Sequence, residues 1–329
     1  MKYLQVKYLM KKNNIYNPSK SEISAGKKGS ILIYILIVIS FAIAIALMIN
    51  ENATENYEAT YGMYFQNQAY IYATSGLNIV KSFLNEDGKD YDSKSDIWNN
   101  IPPAIIENGE VFFDIKPINK KININLLGAK TNTDNTIRIK DCVQQILEDE
   151  NIPKLTPGII KDWIDSDAEP EDDGREDFIY KLSGAEYHIK NKPLDTVMEL
   201  ALIDNYETYN KLKKYFTVYD EDKKLNVNFC DEETLKAYIP EIGSYAGDII
   251  KFRESNEYKN ISNIRDASYI TDNEYIEAVN YLTVKSSLFY TKIIVKLADQ
   301  QYIYHIVLKR EGSSVKVKKF IQGYDDVYF

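Results

Sequence analysis

The hydrophobic pattern of the chain begins with one long apolar run. Residues 30–49 read SILIYILIVISFAIAIALMI, twenty positions without a charged side chain. At about 1.5 Å per helical residue, this run spans about 30 Å, the thickness of a bilayer's hydrocarbon core. Lys27 and Lys28 precede it, and the region after it carries Glu and Asn. Because basic flanks stay in the cytoplasm, the pattern predicts a single membrane-spanning helix with residues 51–329 outside the cytoplasm.

After the apolar run, the pattern changes to helical spacing. No Pro interrupts Glu51 to Leu84, which predicts one helix from Ser30 to Asn85 whose apolar stripe packs on a sheet. The alternative is a parallel coiled coil of a signalling receptor, but an aromatic stripe argues against it because coiled coils prefer aliphatic heptad positions. The predicted stripe consists of Tyr57, Tyr61, Tyr64, Phe65, Ile71, Tyr72, Val80 and Phe83.

Alternating apolar and polar positions predict strands in two separate parts of the chain. Residues 109–116 (GEVFFDIK) and 121–125 (KININ) flank a short turn and predict a hairpin. Residues 126–278 read mostly as helices. The simplest architecture is therefore an α+β fold, in which the long helix packs on one antiparallel sheet and a large α-helical domain is inserted between the strands. The C-terminal strands are predicted at 288–297, 302–310 and 315–321.

These patterns divide the chain into five segments. They are a leader (1–29), a transmembrane helix (30–50), the rest of the helix with the first strands (51–125), the inserted domain (126–278) and the C-terminal strands (279–329).

The junction between leader and apolar run resembles that of type IV prepilins. Lys-Lys-Gly ends at Gly29, and the apolar run starts at Ser30. The resemblance implies cleavage between these two residues by a prepilin peptidase. Most such proteins carry Glu at the fifth mature position, where this chain has Tyr34. A simple uncleaved anchor stays open as the alternative.

The inserted region contains a short internal echo. KININ at 121–125 recurs as KLNVN at 224–228, and the second copy leads into a segment at 232–250 that is similar to a helix-hairpin-helix module, with its hairpin at 239–243. Such hairpins hold DNA phosphate with backbone N–H groups. Glu241 stands where the hairpin usually has Gly, and a carboxylate there would repel phosphate. We therefore interpret the module as structural, with a membrane-anchored DNA-binding protein of the competence type as the alternative function.

Composition narrows the functional classes. Residues 1–29 carry seven Lys and one Glu, whereas the other 300 residues carry 33 basic and 48 acidic side chains. The acidic part of the chain after residue 29 is a poor binder of nucleic acid, because contacts with phosphate need Lys and Arg. Two His and two Cys make a His-rich zinc site, a Cys-rich metal site and a disulfide-dense scaffold improbable. Cys142 and Cys230 both lie in the inserted domain, where a disulfide is possible but not fixed by the sequence.

The densest chemical signal is an acidic segment at residues 162–177, DWIDSDAEPEDDGRED, with nine carboxylates and one Arg. Drawing several carboxylates together costs several kcal/mol unless a cation sits among them. Oxygen ligands in a flexible loop suit Ca²⁺. Pro170 excludes an EF-hand, which needs Gly at that position. A solvated acidic loop is the alternative, and no motif indicates a catalytic centre, so we do not expect an enzyme.

Several motifs in order resemble the K-type minor pseudopilin of bacterial type II secretion systems (the GspK family). The motifs cover most of the chain after the leader. They are KKGSILIYIL at 27–36, KININL at 121–126, the acidic segment at 162–177, KPLDTVMEL at 192–200, FTVYDEDKKLNVN at 216–228 and SSLFYTKIIVKL at 286–297.

The resemblance implies a type IV pilin-like fold with a calcium-binding inserted domain. It implies a place at the pseudopilus tip with the I- and J-type minor pseudopilins. A subunit at the tip has no further subunit above it, so it can have Tyr34 in place of the usual Glu. The other implied partners are the major pseudopilin, the prepilin peptidase and inner-membrane lipid, with a cytoplasmic N-terminus and a periplasmic body. Nucleic acid is not an expected partner. The metal ligands carried over by motif position are Asp165, Asp167, Asp173, Glu176 and Asp177.

Overall fold

The structure of the chain is a computed structural model. It describes residues 20–87, 90–129, 134–184, 186–219, 223–312 and 314–323, with side chains from residue 31 onward except at 134 and 135. Most of the predicted leader, residues 1–19, lies outside the described residues. At the predicted cleavage point, Gly29-Ser30, only helical backbone is described. The chain divides into two compact units, Met1–Phe65 and Gln66–Phe329.

A single helix, α1 (Lys20–Glu86), begins in the first unit and ends in the second. In the first unit, every side chain from residue 31 to residue 50 is exposed. This helix is long and apolar enough to cross a membrane, with a mean hydropathy of 3.1 in its most apolar window. Because exposed apolar surface of this extent is unstable in water, the finding supports the predicted membrane span.

In the second unit, five antiparallel strands form one sheet in the order β1-β2-β7-β8-β9. The first two strands are adjacent in the chain, and β2 pairs with β7 over its whole length, from Gly109 opposite Leu297 to Pro117 opposite Phe289. This arrangement confirms the predicted α+β fold with helices inserted between the strands of one sheet. The strands are β1 (Ala104–Ile106), β2 (Gly109–Pro117), β7 (Leu288–Leu297), β8 (Gln300–Glu311) and β9 (Ser314–Gln322).

The face of α1 that is buried differs from the predicted aromatic stripe. Tyr57, Tyr61, Tyr64 and Ile71 are exposed, so the prediction was wrong for half of its members. The buried residues are small or aliphatic because the helix lies close to the sheet. A Cβ on Gly76 would come within 2.9 Å of the Phe113 ring. The buried face consists of Ala69, Ala73, Leu77, Val80 and Leu84.

The predicted hairpin between residues 109–116 and 121–125 is also wrong. A 3₁₀ turn, Ile118–Lys120, follows Pro117 and carries the chain out of the sheet. Residues 122 and 123 instead form a short strand, β3 (Ile122–Asn123), which pairs in parallel with β4 (Phe216–Thr217). Alternation overestimated the length of this strand, because Ile124–Gly128 form a 3₁₀ helix, and it could not specify which strands pair.

The insertion contains two successive helical modules that share one hydrophobic core. In the second module, β5 (Leu225–Asn226) pairs in parallel with β6 (Leu282–Thr283), just as β3 pairs with β4 in the first. The first module contains α2 (Asp134–Asp149), α3 (Pro157–Ile164), α4 (Asp177–Leu182), α5 (Leu200–Ile203) and α6 (Tyr206–Leu212). The second contains α7 (Glu232–Tyr238), α8 (Ala246–Ser255), α9 (Ile264–Ala267) and α10 (Asp272–Val279).

The internal echo in the sequence corresponds to repeated hydrogen bonding. Asn125 Oδ1 accepts a bond from the Leu194 N–H at 2.7 Å, and Asn125 Nδ2 donates to the Leu194 carbonyl at 3.0 Å. Asn228 makes the same two bonds with Tyr258, at 3.0 and 2.9 Å. Leu194 and Tyr258 each lie two residues before a capping box, headed by Thr196 in one module and Asn260 in the other. The two modules therefore share one hydrogen-bonding plan.

Candidate metal centre

Helix α3 and its N-cap position both ends of the acidic loop. The Thr156 hydroxyl accepts a bond from the Ile159 N–H at 3.2 Å and donates to the Asp173 carbonyl at 2.8 Å. The helix start is thereby tied to the second half of the loop. At the other end of α3, Asp165 is the C-cap residue. A carboxylate at this position meets the negative end of the helix dipole, which disfavours its charged form.

Two close approaches keep the loop folded against α3. Asp162 is buried and accepts a bond from the Glu171 N–H at 3.1 Å. A Cβ on Gly174 would lie 1.9 Å from Asp162 Oδ2, and one on Gly158 would lie 2.2 Å from Asp173 Oδ1. Because Asp162 is buried, glycine is required at position 174, whereas a side chain at position 158 would displace the exposed Asp173 carboxylate.

Three of the predicted ligands converge. Asp165, Asp167 and Glu176 each offer a carboxylate oxygen, and these oxygens all lie within 4.8 Å of one another. Asp165 and Glu176 are buried, and Asp167 is exposed. Asp165 Oδ1 and Glu176 Oε1 are buried without a hydrogen-bond partner among the described residues. This group is the candidate metal centre.

The electrostatics of the centre are unfavourable without a cation. Burial, followed by the charge of Asp167, raises the pKa of Asp165 to about 6. Burial also raises the pKa of Glu176, with a smaller effect from Asp162. Two unpartnered carboxylate oxygens beside a third carboxylate fit a hard divalent cation with oxygen ligands. The donor set therefore fits Ca²⁺, and these three residues would hold it.

The other two predicted ligands have different environments. Asp177 lies 2.7 Å from Lys181 and 3.0 Å from His188, and these two partners lower its pKa to about 2. Asp173 is exposed, and its backbone carbonyl bonds Thr156. Neither carboxylate joins the converging group. Arg175, the one Arg of the loop, donates to the Lys154 carbonyl at 3.4 Å.

One residue at the centre carried no signal in the sequence. Asn191 donates from Nδ2 to the backbone carbonyl of Asp167 at 3.2 Å, and its Oδ1 is buried without a partner among the described residues. Its φ of +47° places it in the left-handed region, which Asn tolerates better than most residues. Asn191 follows the acidic loop by fourteen residues, so only the fold could bring it there.

A second group of carboxylates is a structural ion pair. Asp87, Asp92 and Asp96 offer oxygens within 4.8 Å of one another. Arg310, however, supplies the positive charge, with Nη2 at 2.6 Å from Asp92 and Nη1 at 3.3 Å from Asp87. Asp96 accepts a bond from the Ser93 N–H at 2.8 Å. This group therefore needs no metal ion.

The hairpin of the second module is tied to the first module. Arg138 of α2 makes two bonds to the Glu241 carboxylate, at 2.9 and 2.6 Å. Glu241 thus presents a negative charge on the turn, held by a residue of the other module. This arrangement gives no support to phosphate binding at the hairpin.

The two cysteines are free thiols, so the structure does not form the disulfide considered from the sequence. Cys142 and Cys230 are both buried in the shared core of the modules. They pack there as small apolar side chains.

Comparison with known proteins finds a family model and relatives that carry the same description. Residues 120–221 match the family model described as type II secretion system, protein K. The chain is similar to a type II secretion system protein K of Pectobacterium carotovorum subsp. carotovorum, with 22% identity, covering 88% of this chain and 95% of that protein. A protein K of Klebsiella pneumoniae is 21% identical, with the same two coverages of 88% and 95%.

A solved structure shares the fold. It is a chain of the GspK-GspI-GspJ complex from the type 2 secretion system of enterotoxigenic Escherichia coli, with a TM-score of 0.70 and 14% identity. The match covers 81% of this chain and 99% of that one. The family model matched by residues 120–221 and the relatives aligned along nearly their whole length agree: the chain is similar to type II secretion system protein K, and it shares the fold of the solved GspK-GspI-GspJ chain.

Proposed function

We propose that this chain is a minor pseudopilin that caps the tip of a type II secretion pseudopilus. The observation that carries this proposal is the insertion of two helical modules between the paired strands β2 and β7. A subunit inside a fibre must leave room for the next one. An insertion of about half the chain on one sheet favours a terminal position.

The partners follow from the relatives. The solved relative is in a complex with GspI and GspJ. We infer that this chain assembles with the corresponding I- and J-type minor pseudopilins and, through them, with the major pseudopilin. The chain has no assigned catalytic step in this role. Its contribution is to start and close the assembly.

The N-terminal half of α1 anchors the chain in the inner membrane. The apolar residues of the first unit suit lipid, and Lys27 and Lys28 favour a cytoplasmic N-terminus. The second unit would then lie in the periplasm. Cleavage after Gly29 by a prepilin peptidase would leave Ser30 as the first mature residue.

The metal centre gives the first module a second role. We propose Ca²⁺ bound by Asp165, Asp167 and Glu176. When bound, the ion supplies the positive charge that the converging carboxylates require. The bound ion would offset the repulsion between the carboxylates and keep the loop rigid. A rigid loop suits a surface that must not change during assembly.

Two measurements test the tip assignment. The first is the mature N-terminus of the chain from cells with an active prepilin peptidase, which we expect at Ser30. The second is immunogold labelling of pseudopili, which we expect only at fibre ends. Labels distributed along the shaft, or normal export after deletion of this chain, would contradict the proposal.

A further inference from the structure

The place where the chain leaves the sheet contains a basic cavity. It has a volume of about 130 Å³, well above the roughly 10–15 Å³ that one water molecule needs. Three of its lining residues are lysines, on a chain with a net charge of −9. Such a concentration of positive charge needs an explanation. The lining residues are Lys116, Pro117, Ile118, Lys120, Lys121, Thr217 and Tyr290.

The three lysines differ in their partners. Lys116 is exposed and forms an ion pair with Asp114 at 2.6 Å. Lys121 donates to the Lys213 carbonyl at 2.6 Å. Lys120 is half-buried, and its ammonium makes no hydrogen bond or ion pair within the part of the chain that the structure describes.

The surroundings of Lys120 disfavour its charge. Burial lowers the pKa of Lys120, and the positive charge of Lys116 lowers it further. Asp231 and Asp114 act in the opposite direction, and Lys94 adds a smaller repulsion. A partly buried ammonium beside like charges is costly unless an anion accompanies it.

We propose that Lys116, Lys120 and Lys121 form a binding pocket for a small oxyanion such as inorganic phosphate. Lysine ammonium groups bind phosphate as point charges. Thr217 also lines the cavity, but its buried hydroxyl bonds the Tyr219 backbone, so the three lysines supply the contacts to the anion. An oxyanion here would connect β2 with the first strand pair of the insertion, independently of any role in secretion.

The second module supplies a matched control. Lys223 and Lys224 stand in its sequence where Lys120 and Lys121 stand in the first, as KKLNVN and KKININ. Lys224 donates to the Val279 carbonyl at 3.2 Å, the counterpart of the bond from Lys121 to Lys213. Lys223, however, is exposed, whereas Lys120 is half-buried. Only the first module has Lys116 to complete the pocket.

The test is lysine acetylation of the full chain in detergent at pH 8, quantified residue by residue by mass spectrometry. Inorganic phosphate should slow the acetylation of Lys120 several-fold and leave Lys223 unchanged. Sodium chloride of equal ionic strength should not reproduce the protection. Equal effects of phosphate on both lysines, or protection by chloride alone, would overturn the proposal.

Variants give an independent readout. Phosphate should raise the melting temperature of the wild type and of Lys223→Met, but not that of Lys120→Met. Lys120→Arg should keep the stabilisation because it keeps the charge. If Lys120→Met is stabilised as much as the wild type, the pocket does not bind phosphate through Lys120. The labelling of the wild-type chain decides the question even if a variant folds poorly.

Discussion

Arg310 of β8 holds the buried carboxylate of Asp92 with its Nη2 at 2.7 and 2.6 Å from the two oxygens. The peptide of Asp92 also bonds the insertion at two points. Its N–H donates to the Val284 carbonyl at 2.7 Å, and its carbonyl accepts from Asn228 Nδ2 at 2.9 Å. The ion pair therefore joins the sheet to the second module.

We expect Asp92→Asn to lower the free energy of unfolding by about 3 kcal/mol, because it leaves the buried Arg310 guanidinium with only the more distant Asp87 as a counter-charge. Urea unfolding of the full chain in detergent measures this loss. Asp90→Asn is the control, since Asp90 is fully exposed and lies 3.6 Å from Lys285. This change should lower the free energy of unfolding far less than Asp92→Asn, because solvent screens an exposed ion pair. Equal losses of unfolding free energy in the two variants would show that the buried Asp92–Arg310 pair does not stabilise the contact between the sheet and the second module.

Features with a local signal were predictable from the sequence. The apolar run, the alternating strands and the acidic loop each leave a pattern in adjacent residues. The dense group of carboxylates is recognisable without a structure, but the individual ligands came from the family resemblance. Of the five, Asp165, Asp167 and Glu176 converge, whereas Asp173 and Asp177 do not. The convergence of these three agrees with the choice, while metal binding itself stays a prediction.

Features that depend on tertiary contacts were not predictable. The pairing of β3 with β4 joins residues that are about ninety positions apart. Asn191 reaches the candidate metal centre only because the first module folds back on itself. The buried face of α1 was misjudged because large aromatic residues suggested a core, whereas close packing on the sheet selects small ones such as Ala73.

Removal of calcium should destabilise the wild-type chain. A ligand at one hundred times its Kd stabilises a protein by about 2.7 kcal/mol, so excess Ca²⁺ should raise the melting temperature measurably. Asp165→Asn and Glu176→Gln should abolish this shift, because each removes a buried ligand. Calorimetric scans with Ca²⁺ and with a chelator measure the effect.

The control for the calcium experiment is Asp172→Asn, which changes an exposed carboxylate of the same loop. It removes the same charge without touching the converging oxygens, so it should keep most of the shift. If Asp172→Asn loses as much of the calcium-dependent shift in melting temperature as Asp165→Asn, the shift depends only on the total charge of the loop. A wild-type chain that shows no calcium-dependent shift would rule out the site.

The pair Arg138–Glu241 should make stability depend on pH. The bonds from Arg138 lower the pKa of Glu241 below its ordinary value of 4.5. A carboxylate with a lowered folded pKa stabilises the fold above its unfolded pKa and loses that contribution as the pH falls through the folded pKa. The difference in unfolding free energy between wild type and Glu241→Gln should be about 1.5–3 kcal/mol at pH 7. It should shrink as the pH falls below 4.5.

The matching control for this pH profile is Glu232→Gln. Glu232 pairs with Lys236 on the exposed surface of α7. Surface pairs within one helix contribute only a few tenths of a kcal/mol, so this variant should follow the wild type at every pH. A constant difference between wild type and Glu241→Gln from pH 7 to pH 3 would contradict the assignment.

Both thiols should be inert in the folded chain. Burial raises the pKa of Cys230 to about 11 and raises that of Cys142 as well. Since the thiolate is the reactive form, a thiol reagent at pH 8 should modify neither residue in the native state. After unfolding in denaturant without reductant, both should react. Absence of reaction under those conditions would reveal a disulfide.

The two modules should respond alike to loss of their central asparagines. Asn125→Ala leaves the N–H and carbonyl of Leu194 without their partner, and Asn228→Ala does the same to Tyr258. Each unsatisfied buried group costs about 1–3 kcal/mol, so both variants should be clearly destabilised in urea. Asn273→Ala, on the exposed side of α10, should be nearly neutral.

The two losses should nevertheless differ in one respect. Asn228 also donates to the Asp92 carbonyl, whereas Asn125 donates to the Val218 carbonyl of its own module at 3.3 Å. Asn228→Ala therefore removes a contact with the segment that Arg310 holds, and combining it with Asp92→Asn should be non-additive. Asn125→Ala combined with Asp92→Asn should be additive. Additivity in both double variants would mean that Asn228 stabilises only its own module. The contact between the sheet and the insertion would then depend on Arg310 and not on Asn228.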